Sequence, residues 1–400
     1  MSTEHPVNPE HPVQVDTGFP GGNAVIERVE ADRIVLRPDL RDTIGDWFYW
    51  CICVRGAQGR DLTVQVRRDG GPGIGVRGPA VSTDGGHHWT WLGADSVSGD
   101  EFSLTVPEHT TELRLSFGMS YTADHLERFL AANAAHGALE RGLLTHSEQG
   151  RPVDLLRLGN LRGAPPRRVL LTGRHHACEM MASHVLEGLL AHVLGGDDVE
   201  ARWLAEHVEL VVVPFVDVDG VARGDQGKNR APHDHARDYG PEGGLYPETR
   251  AIRQLLVNTG RFDAVLDLHC PNVAGPTNQR AYFVGSEGAE NWEAVQRLAA
   301  ALEEETATGP LEYRRADDLP FGTAWNGPAN YLSRDGLETP LTSLDAFCAD
   351  HGDIGTHAVL EFPYADAHGA EVNTATARAF GAALARALAQ HLAGNGAGQG

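Results

Sequence analysis

Arg168-VLLTGRHHAC-Glu179 carries the strongest local signal in the chain. Its first half is a short apolar run of the kind buried in a sheet, and a helical stretch from Cys178 to about Leu194 follows. The polar residues between them therefore fall at a strand-to-helix junction. His176 and Glu179 stand three apart, so one helical turn or a tight loop can aim both at one ion. Alone, a His-x-x-Glu pair is more often a surface polar pair. It gains weight from His269, which ends the apolar strand Val265-LDLH 90 residues beyond Glu179. In open α/β sheets, sites gather at the carboxyl ends of strands, where both segments would deliver their side chains. Zinc favours imidazole nitrogen and carboxylate oxygen, and a hydrolytic zinc site has three protein ligands and a water.

From about residue 150 the chain alternates strand and helix. Val208-ELVVVPFV is a near-continuous apolar strand of the type buried in a mostly parallel sheet. Glu248-TRAIRQLLVNTG predicts a helix, Asp263-AVLDLH a strand, and residues 291–305 a long helix with Asn291 as its N-cap. The last strand is His357-AVLEF, and a final helix follows from Glu371. This alternation predicts an α/β fold, with a mixed, mostly parallel sheet covered by helices. The first third reads differently. Asp46-WFYWCICV-Arg55, Asp61-LTVQV-Arg67, Phe102-SLTVP and Glu112-LRLSF are separated by glycine-rich turns, which predicts an antiparallel β-sandwich. Thr122 then caps a helix beginning ADHLERFL. The expected division is a disordered lead over 1–15, a β-sandwich domain over 16–120 and a catalytic domain over 121–395.

The formal charge of −22 argues against nucleic acid or an anionic membrane as the partner. No apolar run reaches 18 residues, so no membrane span is expected. MSTEHPVNPEHPVQ lacks a basic start and an apolar stretch, which leaves a cytoplasmic location as the expectation. Cys51, Cys53, Cys178, Cys270 and Cys348 are odd in number with no framework spacing, so free thiols are expected. Lys228 is the only lysine.

The order of these motifs resembles the zinc carboxypeptidases of the carboxypeptidase A type. Pro214-FVDVDGV is similar to that family's Pro-x-x-Asn-Pro-Asp-Gly stretch, Asp234-HARD-Tyr239 to its Asp-x-Asn-Arg-x-Trp/Tyr block, and Leu360-EFPY to the strand bearing its general base. An N-terminal β region with Trp47-FYW and Ser82-TDGGHHW, leading into Phe117-GMSYTADHL, resembles the cytosolic carboxypeptidases and their bacterial relatives. The resemblance implies one zinc ion held by His176, Glu179 and His269, with Glu361 as the general base. It implies Arg230 as the cation that stabilises the oxyanion, with Arg223 and Lys228 close alternatives. It implies Arg237 on the substrate's terminal carboxylate, Asp234 orienting a ligand histidine, and Tyr331 as the nearest counterpart of a mobile tyrosine.

Ala236 stands where the family has asparagine, so one hydrogen bond to the substrate carboxylate is missing, worth about 1.5–3 kcal/mol. His235 or Asn229 is a possible replacement donor. The implied activity is hydrolysis of a C-terminal peptide or isopeptide-like amide bond in a peptide or amino-acid conjugate. The alternatives are deacylation of a small N-acyl amino acid and, last, an inactive peptidase-fold binding protein. A basic specificity pocket drawn from Arg174, Arg223, Lys228, Arg314 and Arg315 would suit acidic C-termini, against the overall acidity.

Overall fold

The computed structural model describes residues 12–394, apart from 164, 166, 242, 276 and 332–340. Of the lead expected over 1–15, residues 1–11 lie outside the described residues, and the chain is already in a strand at Gln14.

Ten strands build the N-terminal region: β1 (Gln14–Asp16), β2 (Val25–Val29), β3 (Arg33–Arg37), β4 (Cys51–Arg55), β5 (Asp61–Val66), β6 (Ala80–Ser82), β7 (Thr90–Trp91), β8 (Val97–Ser98), β9 (Glu101–Thr105) and β10 (Glu112–Ser116). They form two five-stranded sheets, ordered β1-β4-β10-β6-β7 and β2-β3-β5-β9-β8. Every pairing is antiparallel except β3 with β5, which is parallel. The strict alternation of β5 turns Leu62, Val64 and Val66 inward, and they share one hydrophobic cluster with Ile52, Val54, Leu113 and Leu115 of the other sheet.

Only the second half of the aromatic segment 46–55 is strand. Phe48, Tyr49 and Trp50 are buried ahead of β4. Tyr49 spends its backbone groups on Gln226, donating N–H to Oε1 (2.9 Å) and accepting at O from Nε2 (2.8 Å). A β-rich sequence here leaves the sheet to bind the rest of the molecule.

After helix α1 (Ala123–Ala132), seven strands form the main sheet: β11 (Leu139–His146), β12 (Pro152–Gly159), β13 (Arg167–Gly173), β14 (Val208–Val213), β15 (Phe262–His269), β16 (Tyr282–Val284) and β17 (Ile354–Glu361). Their order is β11-β12-β14-β13-β15-β17-β16. The four central strands run parallel, and β11, β12 and β16 pair antiparallel at the two edges. The described residues also form helices α2 (Met180–Gly195), α3 (Val199–His207), α4 (Val218–Arg223), α5 (Pro247–Asn258), α6 (Ala289–Thr306), α7 (Leu344–Ala349) and α8 (Thr374–Gly394), with a small hairpin, β18 (Asp366–Ala367) and β19 (Ala370–Glu371), ahead of α8.

Helix α2 is buried nearly all round, which removes the amphipathic signature of a surface helix. It crosses α8 closely: a Cβ on Gly188 would lie 2.1 Å from Arg378 O, and one on Gly381 2.0 Å from Val185 O. Gly188→Ala should therefore lower the thermal midpoint by forcing these helices apart, as a melting curve will show.

Asn291 is not the N-cap of α6, which begins at Ala289. It sits in the first turn, donating to His357 O (2.8 Å) and accepting from His357 N (2.9 Å), so it ties the helix to β17. All five cysteines are free and buried. No helix among the described residues is long and apolar enough to cross a membrane.

Candidate metal centre

Strands β13, β15 and β17 are neighbours in the sheet, and their carboxyl ends converge. Leaving β13, the chain turns sharply at Arg174, whose φ is 61°. The buried Arg174 guanidinium pins that turn by donating to Ala177 O, Tyr121 O (2.9 Å) and Ser183 Oγ (3.1 Å). The turn carries His176, and Glu179 occupies the N-cap position of α2. His269 ends β15, and Leu268 is in register with Gly173.

The three side chains meet. His176 Nδ1 lies 2.9 Å from Glu179 Oε1, His269 Nδ1 lies 2.8 Å from Glu179 Oε2, and the two Nδ1 atoms are 3.2 Å apart. The opposite ring nitrogens are held by carboxylates, His176 Nε2 by Asp234 Oδ1 (3.2 Å) and His269 Nε2 by Asp267 Oδ2 (2.8 Å). An Nε2–H donated to a carboxylate leaves Nδ1 as a bare lone pair, the tautomer a metal ligand needs. Two lone pairs facing each other at that distance repel unless a cation sits between them.

Glu179 Oε2 is buried and makes no hydrogen bond. Burial disfavours charge on both histidines, yet Glu179 and Asp234 raise the pKa of His176, and Asp267 and Glu179 raise that of His269. The cluster attracts positive charge. Its donors, all within 4.8 Å of one another, fit a zinc ion in nature and placement. His175, Asp267 and His269 are also close enough to hold an ion. There, however, Asp267 already joins both rings by hydrogen bonds, and His175 Nε2 is paired with Tyr239 Oη (2.7 Å). That trio is a support, and the first is the open set.

Glu361 ends β17 in register with His269. It is 8% exposed, its Oε2 has no hydrogen-bond partner, and burial raises its pKa despite the nearby Lys228. Lys228 donates from Nζ to Cys270 O (2.8 Å) and lies 2.5 Å from Glu179 Oε1. A pocket of about 440 Å³ opens onto His176, His269 and Glu361. Arg237 lines it beside Ala236, its Nη1 donating to Ala236 O (3.1 Å). Its lining also includes the apolar Val284, Phe321 and Trp325 and the acidic Glu287, Asp345 and Asp350.

The structure thus brings together His176, Glu179, His269, Asp234, Glu361 and Arg237. It does not bring Arg230. Its guanidinium is held by Asp217, by Asp225 (3.0 Å) and by Asp42 (3.7 Å), all three buried. These carboxylates require a counter-charge, and Arg230 is committed to supplying it. Lys228 is a second cation beside the cluster, against Glu179.

His235 and Asn229 do not replace the missing asparagine. Neither lines the pocket; His235 is buried and stacked on Tyr246 with ring centroids 3.7 Å apart, and its pKa is pushed down to about 3 by burial. Tyr331 closes a short 3-10 helix, Pro328–Tyr331, and its side chain lies outside what is described. Of the five basic residues considered for a specificity pocket, none lines it; Arg314 and Arg315 pair with Glu312 and Glu303.

Asp267 was missed. The signal was present, because Asp267 and His269 stand two apart in a strand and so share a face.

Residues 131–243 match the family model described as zinc carboxypeptidase. Among curated proteins, the chain is 26% identical to an uncharacterized protein of Zymomonas mobilis, covering 64% of this chain and 67% of that one. It is 23% identical to cytosolic carboxypeptidase 6 of Caenorhabditis elegans, covering 72% and 70%. Among solved structures it is similar to a metallo-carboxypeptidase from Burkholderia cenocepacia (TM-score 0.76, 20% identity, 96% of this chain and 100% of that one). It is also similar to a metallo-carboxypeptidase from Pseudomonas aeruginosa in complex with (2-guanidinoethylmercapto)succinic acid (TM-score 0.73, 22% identity, 95% and 99%). At these identities the structural likenesses show the fold.

Proposed function

We propose that this chain is a hydrolase of the zinc carboxypeptidase type, a reading supported by its match over residues 131–243, and that it removes single residues from the free C-terminus of peptides. The observation that carries the reading is the convergence of His176, Glu179 and His269 beside a buried carboxylate, Glu361, whose Oε2 has no partner. A zinc ion held by those three residues would polarise the scissile carbonyl and acidify a water. Glu361 takes the proton from the attacking water and returns it to the leaving amine nitrogen. Asp234 and Asp267 fix the tautomers of His176 and His269. Arg237 pairs with the substrate's terminal carboxylate, a task suited to its two-pronged donor geometry.

The rest of the pocket supports a preference. Among the residues lining it, Glu287, Asp345 and Asp350 are carboxylates, Asp345 also pairing with His357 (2.6 Å), and Arg237 is the one arginine or lysine. A C-terminal lysine or arginine side chain would be attracted there and a glutamate repelled. The P. aeruginosa neighbour holds a ligand that joins carboxylates to a guanidinium, the same pairing of charges.

The test is a panel of peptides differing only in the last residue, alongside N-acyl amino acids. We expect kcat/KM for C-terminal lysine to exceed that for glutamate at least about tenfold. Equal rates on the two would remove the charge argument. Cleavage of N-acyl amino acids alone would favour the deacylase reading, for which Ala236, in place of a carboxylate-binding asparagine, is the supporting feature.

A further inference from the structure

The loop bearing Lys228 lies within the metal-binding half of the chain, yet the N-terminal sandwich holds it. Asp42 accepts at Oδ1 from Gln226 N (3.0 Å) and at Oδ2 from Gly227 N (2.8 Å). Thr43 Oγ1 donates to Lys228 O (2.6 Å), Ile44 N to Asn229 O (3.2 Å), and Ala231 N to Asp42 O (2.9 Å). The Lys228 ammonium lies 5.4 Å from the centre of a Trp47 ring. On its other side the loop touches the metal-binding turn, where Gln226 O accepts from Cys178 N (3.1 Å). Gly227 permits that approach: its φ is +79°, and a Cβ there would stand 2.2 Å from Ala177 N.

We propose that Lys228 is the cation that stabilises the carbonyl oxygen as it gains negative charge, and that Asp42 of the N-terminal sandwich is its positioning residue. This rests on the hydrolase reading above. The other cations near the site are committed: Arg230 to three aspartates, Arg174 to the turn it pins, and Arg237 to the terminal carboxylate. Lys228 is an ammonium with three donors, two of which serve Cys270 O and Glu179 Oε1. In this proposal the third donates to a substrate oxygen.

As water attacks, a C–O bond forms, the carbonyl π pair moves onto oxygen, and the water's proton goes to Glu361. Lys228 keeps its protons throughout. Collapse restores C=O, breaks C–N, and returns the proton from Glu361 to the amine. A cation contributes to such a step only when held in place beforehand, and a four-carbon side chain does not fix itself. The clamp by Asp42 and Thr43 supplies that fixation, which gives the sandwich a catalytic purpose.

The test uses full-length, zinc-loaded protein carrying Lys228→Met, Lys228→Arg, Asp42→Asn, and Lys228→Met with Asp42→Asn. The readouts are zinc per chain, kcat and KM on a cleaved peptide, and calorimetric binding of a phosphonate peptide analogue that mimics the oxyanion. Lys228→Met should lower kcat about 100- to 1000-fold with KM little changed, weaken phosphonate binding, and be partly rescued by Lys228→Arg. Asp42→Asn should lower kcat about tenfold or more at full zinc. Added to Lys228→Met, it should cost nothing further. Retained kcat in Lys228→Met would overturn the role of the lysine. An Asp42→Asn loss that persists in the Lys228→Met background would overturn the positioning role. Phosphonate binding reads the cation apart from turnover: a wild type that hydrolyses nothing, yet binds phosphonate through Lys228, would sink the hydrolase reading and leave the placement standing.

Discussion

Glu361→Gln should abolish nearly all hydrolysis while leaving the protein folded and metal-loaded. Glutamine keeps the size of glutamate but has no basic oxygen for the water's proton. General acid–base contributions of this kind are about 10²–10⁴-fold in rate, and the loss should appear in kcat with KM little altered. Zinc content should hold at one per chain, because His176, Glu179 and His269 are untouched. Folding should also survive, since Oε2 makes no hydrogen bond that the amide would break. A loss of only a few-fold would mean that another group carries the proton.

Arg230→Met should act on stability. It would leave the buried Asp42 and Asp217 without their cationic partner, while Asp225 keeps Arg41 (3.1 Å) and Arg223. Removing one member of a buried ion cluster costs about 3–5 kcal/mol, so the urea midpoint should fall sharply. Asp42 also caps Gln226 and Gly227, so the Lys228 loop should loosen with it. Had Arg230 instead been the cation facing substrate, the midpoint would stay near wild type and kcat would fall at full zinc content. The urea midpoint therefore separates the two readings.

The contrast between these residues marks what could be read from sequence. His176, Glu179, His269 and Glu361 were legible because backbone periodicity and strand ends fix where such side chains emerge, and parallel neighbours place those ends together. Asp234 was legible only through a motif. The engagement of Arg230 by three aspartates was not legible, because those partners lie 5, 13 and 188 residues away and no local pattern reports a charge balance across the molecule. The same holds for the aromatic run 47–50, whose composition says strand while Gln226 claims its backbone. Asn291 suits a cap by type, but its contacts with His357 determine its position. The acid-lined pocket could not be foreseen, since Glu287, Asp345 and Asp350 come together only in the folded chain.

A zinc ion at His176, Glu179 and His269 is expected to serve the removal of a C-terminal residue. The most direct test is mass spectrometry of one peptide, offered as the free acid and as the C-terminal amide, before and after chelation and zinc restoration. The account predicts loss of one residue from the free acid, little from the amide, none after chelation, and recovery with about one zinc per chain. Equal cleavage of acid and amide, or cleavage indifferent to chelation, would contradict it.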